Sequence, residues 1–323
     1  MRPMHAEEDA RLRARVVRRA ALHHRDGADA ALDRPGHVRA ASGLCWWRGR
    51  LAVVSDDASF AGLIDAATGQ TEAITLPHAP GERRQFDKGR GNKADKLDLE
   101  CVIAAGDRLI AFGSDSGLAV RRAAVVIDVD HASGDGVRVV PLPRLYAALR
   151  QPVLGTGVVN LEAATVRGDT LVLGNRGGDV GDDGVPTADA IAELPLSALL
   201  ALLDDPARAP VPAITWRVIE LGRLGDAPLR LTELEARGDE LLYAATAEAT
   251  TTAYDDGAVA GSAIGVIAGG AARWTRIVDE ENAPLLAKIE GLVALPTRDR
   301  VLATVDADDP ARPSELLELT LEA

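Results

Sequence analysis

Five times along the chain a polar residue opens a short apolar run, a tight turn follows, and a second apolar run ends in a cluster of Ser, Asp, Asn or Thr. The phrases are SGLCWWRGRLAVVSDD from Ser42, ECVIAAGDRLIAFGSD from Glu100, EAATVRGDTLVLGNRG from Glu162, TELEARGDELLYAATAE from Thr232 and EGLVALPTRDRVLATVDADD from Glu290. Two apolar runs about a Gly or Asp turn read as a β-hairpin. The turn residues Gly49, Asp107, Asp169 and Asp239 stand seven places after their heads, and only the last phrase has a longer turn, ending at Asp299. The heads recur at steps of 58, 62, 70 and 58 residues. A repeat of about 60 residues exceeds helical and leucine-rich units and suits a four-stranded propeller blade plus a loop.

The first phrase continues into further strand-like runs at Phe60–Asp65 and Thr71–Leu76, after Gly43–Trp47 and Leu51–Val54, which gives four antiparallel strands. The second adds Ala123–Val129 and Val137–Pro141, then a helix-like RLYAALRQ. In the third, SALLALLDDPARAP has helical spacing and precedes the strand-like ITWRVIEL, which explains the long step. After the fifth phrase only SELLELTLEA reads as a strand, so one is missing there. The alternating segment Ala14 to Leu22 supplies it by pairing the two ends of the chain, which protects the edges of the assembly. The expected fold is therefore all-β: a single five-bladed β-propeller over residues 1–323, closed by N- and C-terminal strands, with residues 1–30 partly closing strand and partly flexible N-terminus. Six blades are the alternative, if the loop from His78 to Leu97 or the expanded third repeat hides another.

Composition narrows the function. Aromatics make up only 3% of the chain, so the core is built from Ala, Val, Leu and Ile. The net charge of −13 argues against a nucleic-acid partner, which needs a concentrated basic surface. The first 25 residues are too charged for a signal peptide and no apolar run reaches membrane-span length, so a cytoplasmic protein without a membrane partner is expected. Cys45 and Cys101 fall inside predicted inner strands as small hydrophobes. The six histidines show no zinc spacing, and Ser42 lies outside any Gly-x-Ser-x-Gly elbow.

Several motifs taken together resemble an uncharacterised bacterial β-propeller family of unknown function. They are SGL with VVSDD (Ser42 to Asp57), KLDLECV (Lys96 to Val102), RLYAALR (Arg144 to Arg150), AYDDGAVAGSAIG (Ala253 to Gly265), KIEGL (Lys288 to Leu292) and VDADDPARPSELL (Val305 to Leu317). The Glu-Gly-Leu head is more distantly similar to those of phytase-like esterase and of gluconolactonase and strictosidine-synthase propellers. That resemblance implies calcium in the central channel and hydrolysis of an ester, lactone or phosphoester.

Inner-strand heads of a propeller converge on one ring, so Ser42, Glu100, Glu162, Thr232 and Glu290 are the candidate ligands of a hard cation such as calcium. Without a cation, the glutamates would bond to backbone amides or to the basic residues Arg230 and Lys288, two places before their heads. Arg230 and Lys288, with Arg176 at the end of a second strand, are candidates for holding an anionic part of a small-molecule ligand in the channel. Asp56 and Asp306, also at second-strand ends, are the candidate catalytic bases, and the loop bearing Tyr254 and Asp255 is placed to reach the mouth. Two functions remain open: a calcium-dependent hydrolase, and a non-catalytic scaffold or small-ligand binder held by a structural metal or an ion-pair ring.

Overall fold

A computed structural model describes residues 2–79, 81–128, 136–151, 154–155, 158–178, 180, 184–248 and 259–322. Three short strands come first: β1 (Met4–Glu8), β2 (Arg13–Ala21) and β3 (His23–His24). Four-stranded meanders follow. The first holds β4 (Ala41–Trp47), β5 (Arg50–Ser55), β6 (Phe60–Ile64) and β7 (Gln70–Thr75); the second β8 (Leu99–Ala105), β9 (Arg108–Gly113), β10 (Ala123–Ile127) and β11 (Val137–Pro141). After helix α1 (Pro143–Leu149) the third holds β12 (Leu161–Arg167), β13 (Thr170–Asn175), β14 (Ala190–Pro195) and, beyond helix α2 (Leu196–Asp204), β15 (Thr215–Glu220). A two-residue strand β16 (Arg223–Leu224) leads into the fourth: β17 (Ala227–Arg237), β18 (Glu240–Glu248), β19 (Val259–Ala268) and β20 (Ala271–Val278). The chain ends with β21 (Lys288–Ala294), β22 (Arg300–Asp306) and β23 (Glu315–Glu322). The architecture is all-β and propeller-like.

The meanders pack face to face, because alternation along each strand sends successive side chains to opposite neighbours. In β8, Cys101 and Ile103 join the core shared with the third meander, whereas Leu99 and Val102 join the core shared with the first. Further cores lie between the third and fourth meanders and between the fourth and the last strands. A fifth core sets Val293, Leu302 and Leu316 against Leu44, Leu51 and Val53, joining the end of the chain to its first meander. Inner strands follow the same cyclic order, with β4 against β8, β8 against β12, β12 against β17, β17 against β21 and β21 against β4.

The missing outer strand is β2, which runs antiparallel to β23 from Arg13 opposite Glu322 to Ala21 opposite Glu315. The rest of the N-terminal segment is paired as well. β1 runs parallel to both β15 and β20, β2 also touches β20, and β3 runs parallel to β7. Residues 4–24 thus stitch together the outer edges of four units, and β1 and β3 are paired where only the Ala14–Leu22 strand was expected beside a flexible stretch; parallel partners far along the chain leave no local sequence signal.

Candidate functional site

Every inner strand carries a β-bulge at its head. The register runs from Leu99 opposite Gly113 to Cys101 opposite Phe112, skipping Glu100, and Glu162, Thr232 and Glu290 are skipped in the same way. In β4 the irregularity falls between Ser42 and Leu44. A bulge releases one residue from the ladder and re-aims its side chain, and here it presents the heads at one end of the inner strands. All five heads are buried.

Glu100 accepts a hydrogen bond from Ser42 Oγ at 2.8 Å, tying the first two meanders together. Beside it lies a dense ionic group. The ammonium of Lys96, which is 5% exposed, stands 2.6 Å from Asp98 Oδ1, 2.8 Å from Asp57 Oδ1 and 3.0 Å from Asp56 Oδ2. Asp98 is also held by Arg121 at 2.7 Å and accepts from the Ser114 hydroxyl. Carboxyl oxygens of Asp56, Asp98 and Glu100 lie within 4.8 Å of one another, close enough to hold one metal ion, and no other such group occurs among the described residues. Its all-oxygen character suits a hard cation. Two of its three members, however, already touch the Lys96 ammonium.

Around the ring, Glu162 accepts from Asn160 Nδ2 at 2.8 Å and lies 3.5 Å from the Arg176 guanidinium, which also donates to Glu248 at 2.9 Å. Glu290 is paired with Lys288 at 2.5 Å. Thr232 is fully buried and its hydroxyl lacks a partner. Arg230 turns away from the heads to Asp189, at 2.9 Å. Asp306 accepts from Ser314 Oγ at 3.1 Å and caps the backbone N–H of Asp308. Tyr254 and Asp255 lie outside the described residues. The predicted residues Glu100, Glu162, Glu290, Arg176 and Lys288 thus share one electrostatic network, since Glu162 raises the proton affinity of both Glu100 and Glu290. Asp56 joins it through Lys96.

Burial and neighbouring charge split these carboxyls into two populations. Burial holds Glu100 well above the ordinary carboxyl range, with Asp56 and Glu162 adding repulsion. The same cause lifts Glu290 to about 8 against the pull of Lys288. Asp56 is likewise pushed up to about 8, chiefly by burial, although 27% of its side chain stays exposed and solvent softens the effect. Asp98 is buried and Asp57 and Glu248 are partly so, yet their cations win and hold them below the usual value: Lys96 for Asp57 and Asp98, and Arg176 for Glu248. The network therefore places carboxyls of raised and of lowered proton affinity side by side.

Sequence reading passed over Lys96 and Asp57 as ligands of this group, although Lys96 and Asp98 stand four and two places before Glu100 in KLDLECV. It also missed Glu233. The position after each head is Gly43, Cys101, Ala163, Glu233 and Gly291, a column of small residues with one long side chain. A Cβ on Gly43 would meet Cys101 Cα at 2.6 Å, so backbones touch at this level. Glu233, 1% exposed, accepts the backbone N–H of Leu234 at 2.8 Å and of Ala164 at 3.4 Å, and faces that of Leu44. Leu44, Ala164 and Leu234 each lie two places past a head, so one carboxyl takes donors from two inner strands and faces a third.

Fold and site together define a propeller-like all-β protein with a self-paired ionic network at the heads of its inner strands. The chain belongs to a family of unknown function, DUF6929, whose model matches residues 37–321. No curated protein matches the sequence. Among solved structures, glutaminyl cyclase from Myxococcus xanthus is similar at a TM-score of 0.49 and 11% identity, over 99% of each chain. The PQQ-bound aldose sugar dehydrogenase of Streptomyces coelicolor is similar at 0.46 and 12%, over 98% of this chain and 100% of the other. Likeness at this level describes shape and carries no chemistry.

Proposed function

We propose that the five meanders are the blades of a single five-bladed β-propeller, closed where β2 pairs with β23, and that the head end of its channel is a hydrolytic site for a small polar ester, lactone or phosphoester. The cyclic order of inner strands and the five interfacial cores support the blade count. The chemical reading is carried by the convergence of Asp56, Asp98 and Glu100 within 4.8 Å, where groups of opposed proton affinity adjoin. Such a split assigns acid and base roles: Glu100 keeps its proton for a leaving group, Asp56 exchanges one with water near neutral pH, and Asp98 stays ionised. Arg176 and Lys288 would orient an anionic substrate group, and the net charge of −13 favours a small molecule over nucleic acid. Calcium, the ion favoured by an all-oxygen set, would have to displace Lys96 to reach these oxygens, so the proposed chemistry is carried by the carboxyls themselves.

The test is turnover of a panel of p-nitrophenyl esters, lactones and phosphodiesters by the purified protein. Glu100→Gln and Asp56→Asn should each lower any measured turnover by at least about 100-fold, the usual scale of a lost acid or base, while leaving the protein folded. Turnover unchanged in both variants counts against the reading. A non-catalytic scaffold or small-ligand binder is the second reading, favoured by the partners each glutamate head already has: Ser42 for Glu100, Asn160 and Arg176 for Glu162, Lys288 for Glu290. On that reading the same variants change stability and no substrate in the panel is turned over.

A further inference from the structure

We infer that Lys96 is the resident cation of the acidic group: its ammonium bridges Asp56, Asp57 and Asp98, holds two of the three carboxyls that could bind a divalent ion, and saturates the group without a metal. This stands whether or not the site hydrolyses anything. Three carboxylate oxygens at 2.6, 2.8 and 3.0 Å use all three N–H donors of one ammonium, a complete shell for that ion. The approach is fixed by the backbone. A 3-10 turn at Lys93–Asp95 ends in extended Lys96 (φ −72°, ψ 146°), and the buried side chain then runs into the group two residues before Asp98, which directly precedes β8, and four before Glu100 within it.

The charges around the group support the same reading. Its carboxyls are Asp56, Asp57, Asp98 and Glu100, and the cations that face them are Lys96, Arg121 on Asp98, and Lys93 and Arg39 on Asp57, with Arg39 shared with Asp87. Ser42 donates to Glu100 and Ser114 to Asp98, while Glu162 acts on Glu100 from the next strand. Four cationic side chains already face these carboxyls, so an added divalent ion would meet the ammonium at close range. Removing the ammonium takes away the partner that Asp56, Asp57 and Asp98 share, leaving carboxylates that a small cation can relieve.

The experiment compares thermal unfolding of the wild type and Lys96→Met in EDTA and across a calcium chloride series, with magnesium and manganese chloride as further probes. The wild-type melting temperature should not move with any of the three ions. Lys96→Met should melt lower in EDTA and recover progressively with calcium, as binding to the folded state alone requires. Adding Asp98→Asn to Lys96→Met should abolish that recovery, which a purely structural lysine would not produce. If Lys96→Met does not fold in EDTA, refolding from urea with and without calcium is the readout, and recovery of soluble folded protein only with the ion supports the assignment. A wild type stabilised by calcium as strongly as the variant would overturn it. So would a variant that none of the three ions restores.

Discussion

Truncating Glu233 to Ala takes away one side chain that serves three inner strands. Glu233 is 1% exposed, accepts N–H groups from Leu234 and, at a long 3.4 Å, from Ala164, and faces that of Leu44. Each buried donor left without a partner costs about 1–3 kcal/mol, and the emptied space adds a cavity cost on the scale of other large-to-Ala changes, about 2–5 kcal/mol. Allowing for the one weak contact and for water entering the gap, Glu233→Ala should lose about 4 kcal/mol. Glu233→Gln should lose about 1 kcal/mol or less, because the amide oxygen still accepts while its NH2 replaces an Oε2 that has no partner. Burial, reinforced by the charge of Glu235, holds the Glu233 carboxyl well above its ordinary value. A raised carboxyl stabilises the fold fully below its unfolded value and progressively less as pH climbs toward the folded one. Glu233→Gln, which cannot titrate, should therefore gain on the wild type between pH 5 and pH 8, by at most about 1.4 kcal/mol per pH unit. Urea unfolding of the three proteins at both pH values, followed by tryptophan fluorescence, measures each difference. A Gln variant as unstable as the Ala variant, or a wild-type-to-Gln difference that ignores pH, would refute this role of Glu233.

Gly43→Ala should destabilise by about 3 kcal/mol, at the upper end of overpacking costs, because the new methyl would lie 2.6 Å from Cys101 Cα and 2.8 Å from Val102 N, backbone atoms that cannot rotate away. Gly36→Ala, whose nearest neighbour would be at 3.6 Å, is the control and should stay within about 0.5 kcal/mol of wild type in the same melts. His24 is 6% exposed with Nδ1 unpartnered, and burial, helped by the positive charge of Arg34, lowers its pKa to about 4 from 6.5. Its neutral ring stabilises the fold above pH 6.5, and as pH falls from 6.5 through 4 about 3 kcal/mol is lost. Urea midpoints of wild type and His24→Asn at pH 7.5 and 4.5 should converge on acidification; a constant gap would contradict this.

How much of this was legible in the sequence depends on which property carries the information. The five phrases translate into β4–β5, β8–β9, β12–β13, β17–β18 and β21–β22 because apolar runs about Gly and Asp turns are local signals. The same holds for RLYAALRQ and SALLALLDD, which become α1 and α2, and for the alternating Ala14 to Leu22, which pairs within β2. The parallel pairing of β1 was not legible, since its partners lie more than 200 residues away. At the site, Ser42, Glu100, Glu162 and Glu290 were readable as strand heads. The ionic partners at the site, Lys96 for Asp56 and Arg176 for Glu162 and Glu248, come from loops and strand ends whose direction only the fold sets.

The bulges connect these observations. A regular ladder would give each head residue's backbone to the second strand, and a propeller so built would bring glutamates to its channel with nothing to receive them. Skipping one residue at the head of β8, β12, β17 and β21 frees Glu100 to meet the Ser42 hydroxyl, Glu162 to meet Asn160 and Arg176, and Glu290 to meet Lys288, while the N–H groups of Ala164 and Leu234, two places past a head, turn to Glu233. One irregularity repeated from strand to strand thus serves both the ionic network and the single carboxyl of Glu233. It also sets what can be changed. Glu100 has one hydroxyl partner, Ser42, whereas Glu233 is the acceptor of two buried N–H groups and a Cβ on Gly43 would meet backbone, so Glu233 and Gly43 should tolerate substitution less well than Glu100.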